Sequence, residues 1–155
     1  MNSSTLIPKL DKVSNYDDFV SLQIQLQKQD QSVLFDCLFP LAIAKRNEFP
    51  SQMAGYFLIA LEPKFTRELE ILINEITSSN WDISDKSVPL FLNAQFGKWN
   101  VKDCIDKKLM DQNLTENEKI RIKGLWYWAK TPAQYLASEL CYWEWKEAIE
   151  GDENT

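Results

Sequence analysis

The stretch TENEKIRIKGLWYWAKTPAQ, residues 115–134, decides the fold class. Thr115-Glu116-Asn117-Glu118 has the spacing of a capping box, in which a hydroxyl accepts from the backbone N–H three residues on and a carboxylate reaches back. Ile120, Ile122, Leu125, Trp126 and Ala129 follow at helical spacing. Thr131-Pro132-Ala133-Gln134 repeats the box, with proline at the first helical position, where its missing N–H is harmless. Two helices in series are expected, the second running from Pro132 to Ile149 for about 27 Å.

The same grammar extends upstream. Residues 1–13 are polar, contain Pro8 and show no sustained periodicity, so they are expected to be a flexible arm. Ser14-Asn15-Tyr16-Asp17 opens a first helix, with Phe19, Leu22 and Leu26 on its inner stripe and Val20 and Ile24 beside them. A second is expected from Ser32 to Lys45 through Val33, Leu34, Cys37, Leu38 and Leu41, with Pro40 demanding a kink or a restart. Ser51 caps a third, through Met53, Tyr56, Phe57, Ala60 and Leu61; being apolar on most sides, it belongs at the centre. A fourth from Thr66 puts Leu69, Leu72, Ile73 and Ile76 on one face. A fifth spans Ser87 to Phe96 with Gly97 as its terminator, and a sixth from Asn100 turns Ile105, Leu109 and Met110 inward. With the two helices of the opening stretch this makes about eight, joined by short turns and without alternating strand patterns: an all-α single domain over residues 14–150, followed by a disordered tail, 151–155. Phe39-Pro40-Leu41 and Val88-Pro89-Leu90 echo one another about 49 residues apart, just above the period of HEAT-type helical hairpins.

Composition narrows function by exclusion. The 155 residues contain no histidine, which removes Ser-His-Asp and Cys-His nucleophilic catalysis and most transition-metal sites. Neither a Gly-x-Gly-x-x-Gly run nor a Gly-x-x-x-x-Gly-Lys loop supports a nucleotide site. No cofactor and no metal are expected. The remaining catalytic option is a carboxylate pair, and Asp17-Asp18, Asp82 with Asp85, and Glu144 with Glu147 are the candidates. Each sits at a helix start or on a helix face, where solvated charge is the ordinary condition, so the chain is not expected to be an enzyme. Cys37, Cys104 and Cys141 lie among apolar neighbours without ligand spacing and read as reduced core residues of a cytoplasmic protein. No run approaches the roughly 18 apolar residues of a membrane span.

Seventeen basic residues face 23 acidic ones, for a net charge of −6. Lys102, Lys107, Lys108, Lys119, Arg121 and Lys123 are interleaved with acids, so no cationic groove for nucleic acid is expected. A steered partner would be basic. Four of the six tryptophans, Trp126, Trp128, Trp143 and Trp145, fall between Gly124 and Ile149. The aromatic lines there have two readings: core clasped by neighbouring helices, or a protein-binding face made of Trp126, Trp128, Glu139, Tyr142, Trp143, Glu144, Trp145 and Glu147. A homodimer through the last helix would also bury them.

A histidine-free, acidic, helical domain with helical hairpins and a Trp-rich C-terminal part, including Gly124-Leu125-Trp126-Tyr127-Trp128, resembles the immunity proteins that bacteria make against toxins of contact-dependent or secretion-based competition. The resemblance implies stoichiometric occlusion of a cognate toxin, expected to be a basic nuclease, as many such toxins are. The alternative is a helical-repeat scaffold or adaptor.

Overall fold

The computed structural model describes residues 1–44 and 48–130, which form eight α-helices and no strand. The predicted helix from Pro132 to Ile149, Cys141 and the tail 151–155 lie outside the described residues.

The first helix is one the sequence reading lacks. α1 (Ser3–Asp11) starts at a capping box in which the Asn2 side chain accepts from the Thr5 N–H and Thr5 Oγ1 accepts from the Asn2 N–H. Leu6 and Leu10 are fully buried and Val13 nearly so, which corrects the expectation of an arm over residues 1–13. Their spacing of four and three is helical, but it spans only two turns and is interrupted by Pro8. Packing on its neighbours, more than intrinsic propensity, holds such a short helix.

α2 (Tyr16–Gln27) begins one residue later than the expected box. Asn15 accepts from the Asp18 N–H at 2.8 Å, and the Asp18 carboxylate accepts from both the N–H and the hydroxyl of Ser14. Phe19, Leu22 and Leu26 are buried as expected. α3 (Gln31–Ala42) is capped by Asp30, whose Oδ1 accepts from the N–H groups of Ser32 and Val33. Pro40 neither restarts nor splits it. It lies in the last turn, and both it and Asp36, whose carbonyl it leaves without an N–H, face water. Val33 is exposed rather than inward, and Phe35 and Phe39 fill the core instead.

α4 (Phe49–Leu61) is the central helix, packing against α1, α2, α3 and also α6, the helix introduced next but one. Glu62, at φ 43°, turns the chain out ahead of Pro63. α5 (Leu69–Ser78) buries Leu72, Ile73, Ile76 and Thr77 and carries an Arg67–Glu75 ion pair outside. α6 (Ser87–Phe96) and α7 (Lys98–Leu109) are joined by a single residue, Gly97, at φ 87°. α8 (Glu116–Ala129) starts at the expected box, where the Thr115 N–H donates to Glu118 Oε1 at 3.1 Å and the Glu118 N–H to Thr115 Oγ1 at 3.2 Å.

The core is a layer of stacked rings. Phe35 lies 4.3 Å from Phe65 and 5.3 Å from Phe39, centroid to centroid, and Phe19 stacks on Phe57 at 4.3 Å. Pro40 ends α3 whereas Pro89 lies in the first turn of α6, so the two Pro-Leu pairs do not mark equivalent units.

Candidate functional site

α8 explains most of its own unusual sequence by what it holds. Arg121, Gly124 and Trp128 lie three, then four residues apart on one stripe, and the α5–α6 connection rests on that stripe. Arg121 Nε donates to the Thr77 carbonyl at 2.8 Å, and Trp128 Nε1 donates to the Ile83 carbonyl at 2.7 Å. Between them, a Cβ on Gly124 would stand only 2.9 Å from Ile83 Cγ2, so glycine is what allows the connection to approach.

Within that connection Trp81 is buried, and its Nε1 donates to Asp85 Oδ2 at 2.8 Å. Asp85 also accepts from the Ser87 N–H at 2.9 Å, the Ser87 hydroxyl at 2.6 Å and the Val88 N–H, thereby capping α6. Burial pushes its carboxyl above the usual range, while those hydrogen bonds pull the other way. Asp82 Oδ1 accepts from the Ser84 N–H at 3.0 Å. The Asp82–Asp85 pair is thus engaged in turn and cap geometry. Cys37 is buried and Cys104 half-buried, and desolvation raises both thiols.

Of the eight residues read from the sequence as a binding face, two are described. Trp126 is half-buried against the core, with Lys102 Nζ 5.3 Å from its ring centroid. Trp128 is half-buried, bonded to Ile83, and has Lys86 Nζ 5.0 Å from its ring. Glu139, Tyr142, Trp143, Glu144, Trp145 and Glu147 lie outside the described residues.

The structure exposes other side chains. Trp99 is 68% exposed, Met110 79%, Ile120 49% and Tyr127 58%. Trp99 and Met110 are eleven residues apart, three turns of α7, and point away from the inward Val101 and Ile105. Ile120 and Tyr127 are two turns apart on α8, opposite the inward Ile122, Leu125 and Ala129. The two helices pack on each other, so their outer faces together carry two aromatic and two aliphatic side chains. Lys98 Nζ lies 5.2 Å from the Trp99 ring and Lys130 Nζ 5.0 Å from the Tyr127 ring. Met110, expected to face inward, and Ile120, expected in the inward pattern of its helix, are thereby corrected: Met110 is the C-cap residue beyond the last buried turn of α7, and Ile120 lies two residues from the buried Ile122, on the opposite side of α8.

A cleft of about 700 Å³ opens beside the α8 stripe, with Asn80, Asp82, Ile83, Asn117, Ile120 and Arg121 on its walls. A smaller one, about 260 Å³, lies between α5 and α7 next to Cys104. Among the described residues no group of acids and cysteines is placed to hold a metal ion, and no helix is long and apolar enough to cross a membrane.

Comparison with protein-family models, with curated proteins and with solved structures found no match in any of the three.

Proposed function

We propose that the chain is a protein-binding inhibitor of the immunity type, which neutralises a cognate toxin by docking on it stoichiometrically. The observation that carries the reading is the outer face of the α7–α8 hairpin, where Trp99, Met110, Ile120 and Tyr127 stand in water among lysines and acids. Large aromatic anchors ringed by polar residues are the composition of binding hot spots. The sequence adds a long-range component: six acids and one lysine fall in residues 131–155, which makes that end the acidic one and favours a basic partner by steering encounter.

The test pairs the chain with the product of the gene immediately upstream. Co-expression is expected to restore growth that this product suppresses, and the two proteins to purify as an equimolar complex. Trp99→Ala combined with Tyr127→Ala is expected to abolish protection while leaving the helical circular-dichroism signal intact. Absence of both binding and protection, or full protection by the double variant, would remove the proposal. Capture of a cellular protein through the same face, with no protection, is the outcome that an adaptor role gives.

A further inference from the structure

The outer side of α2 carries a pattern that its own copy can match. Phe19, Leu22 and Leu26 are buried, and α2 packs on α4. On the opposite side Asp17, Ser21, Ile24 and Lys28 follow at spacings of four, three and four, and all four are exposed. Ile24 is 52% exposed, a large aliphatic group on a stretch, Phe19 to Gln27, that holds no charged residue. Lys28 closes the helix in right-handed helical geometry, so the stripe is continuous to its end.

The charges at the two ends, Asp17 and Lys28, have no ion-pair partner among the described residues. They are separated by about 16 Å along the helix axis, too far to neutralise each other within one chain. A second α2 laid antiparallel against the first meets both. With the two-fold axis passing between Leu22 and Gln23, Asp17 faces Lys28 of the second copy and Ile24 faces its Ser21. Each contact then occurs twice, as a two-fold interface requires. The small serine leaves room for the isoleucine, and antiparallel helices bring opposite dipole ends together. Ile71 of α5 is also exposed, at 46%, but the charges on either side of it, Arg67 and Glu75, already engage each other. Copies of a chain with net charge −6 repel one another, which favours contact where acid meets base.

We infer that the outer stripe of α2 is a self-association surface whose occupant is a second copy of this chain, docked antiparallel through Asp17, Ser21, Ile24 and Lys28. None of these residues belongs to the α7–α8 face, so self-association and the proposed toxin binding are measured separately. One 12-residue helix against its copy is a small contact, at most about 1,200 Å² of buried surface, which puts the dimer in the weak, concentration-dependent class.

Sedimentation equilibrium of the full chain under reducing conditions, from micromolar to millimolar concentration, tests it. The parent is expected to pass from monomer to dimer within that range. Asp17→Lys sets lysine against lysine twice across the interface and Lys28→Asp sets acid against acid twice, and each is expected to weaken the dimer about tenfold. An equimolar mixture of these two variants restores both pairings in the heterodimer and should associate like the parent; recovery also shows that neither variant lost association by misfolding. Ile24→Asp is expected to abolish the dimer, and Trp99→Ala combined with Tyr127→Ala to leave it unchanged. A chain that stays monomeric throughout, a dimer indifferent to Asp17→Lys, or a mixture that does not recover overturns the inference. So does association that survives Ile24→Asp but is lost with Trp99 and Tyr127, which would place the second copy on the α7–α8 hairpin.

Discussion

A single hydrogen atom's place decides how closely α4 approaches the start of α6. A Cβ on Gly55 of α4 would fall 2.1 Å from the Ser87 hydroxyl oxygen, and that hydroxyl is held by Asp85 at 2.6 Å, so it cannot simply rotate away. Gly55→Ala is therefore expected to destabilise the fold by about 1–3 kcal/mol, the usual range for overpacking, despite the better helix propensity of alanine. Combining it with Ser87→Ala, which removes the clashing oxygen, should recover part of the loss in urea unfolding. Among the described residues, three carboxylates hold their protons with altered strength. Hydrogen bonds from Ser32 and Val33 hold Asp30 below its ordinary 3.8, and those from Thr115 hold Glu118 below 4.5. Their folded values lie below the unfolded ones, so the stability they lend is complete above those ordinary values and disappears as pH falls through the lowered ones. Asp85 has the opposite sign. Its folded value is raised, so the native state holds its proton more tightly and loses stability relative to the unfolded chain as pH rises from 3.8 through the raised value. Thermal unfolding of Asp30→Ala with Glu118→Ala should show a shallower acid decline than the parent. An unchanged slope would place the acid sensitivity elsewhere.

Among the helices, α1 and α8 show what local sequence encodes and what it does not. The Thr115–Glu118 box is a contact between residues three apart, complete within one turn, and the sequence predicts it correctly because nothing distant is needed. Thr115→Ala is expected to cost about 1 kcal/mol, read as a lowered midpoint in denaturant. α1 has little stability of its own, and its two leucines become informative only once α3 and α4 are present to cover them. Leu10→Ala should accordingly cost about 2–5 kcal/mol, as for any large buried side chain, whereas an arm would lose nothing. The starts of α2 and α5 also differ from the expected ones: Asn15 rather than Ser14 caps α2, and α5 begins at Leu69 with no side-chain cap. The central place of α4 was legible because an apolar circumference admits no other location. The candidate surfaces were only half legible. Tryptophan density drew the eye to α8, where Trp126 and Trp128 mainly hold neighbours, and the exposed Trp99 sits on a helix with no such density.

At the scale of the molecule, charge is distributed unevenly along the chain. With six acids and one lysine in the last 25 residues, the preceding 130 are close to neutral, whereas the whole chain carries −6. If the proposed partner is basic, removing residues 131–155 should slow association and flatten its dependence on salt, while Trp99→Ala should chiefly speed dissociation; stopped-flow kinetics across ionic strengths separates the two. Sedimentation at several dilutions would show whether the exposed hairpin face instead pairs two copies. The packing of α8 on α5, α6 and α7 depends on how these helices are joined. Gly97 is both the last turn-out of α6, donating to the Asn93 carbonyl at 2.8 Å, and the acceptor for the Val101 N–H that starts α7. With no slack on either side, the joint works as a fixed gear. One residue inserted into the first turn of α7 would rotate the rest of that helix by about 100° and carry Val101 and Ile105 out of the core. The corner is therefore constrained in length and, at Gly97, in composition too, because a side chain at φ 87° is strained.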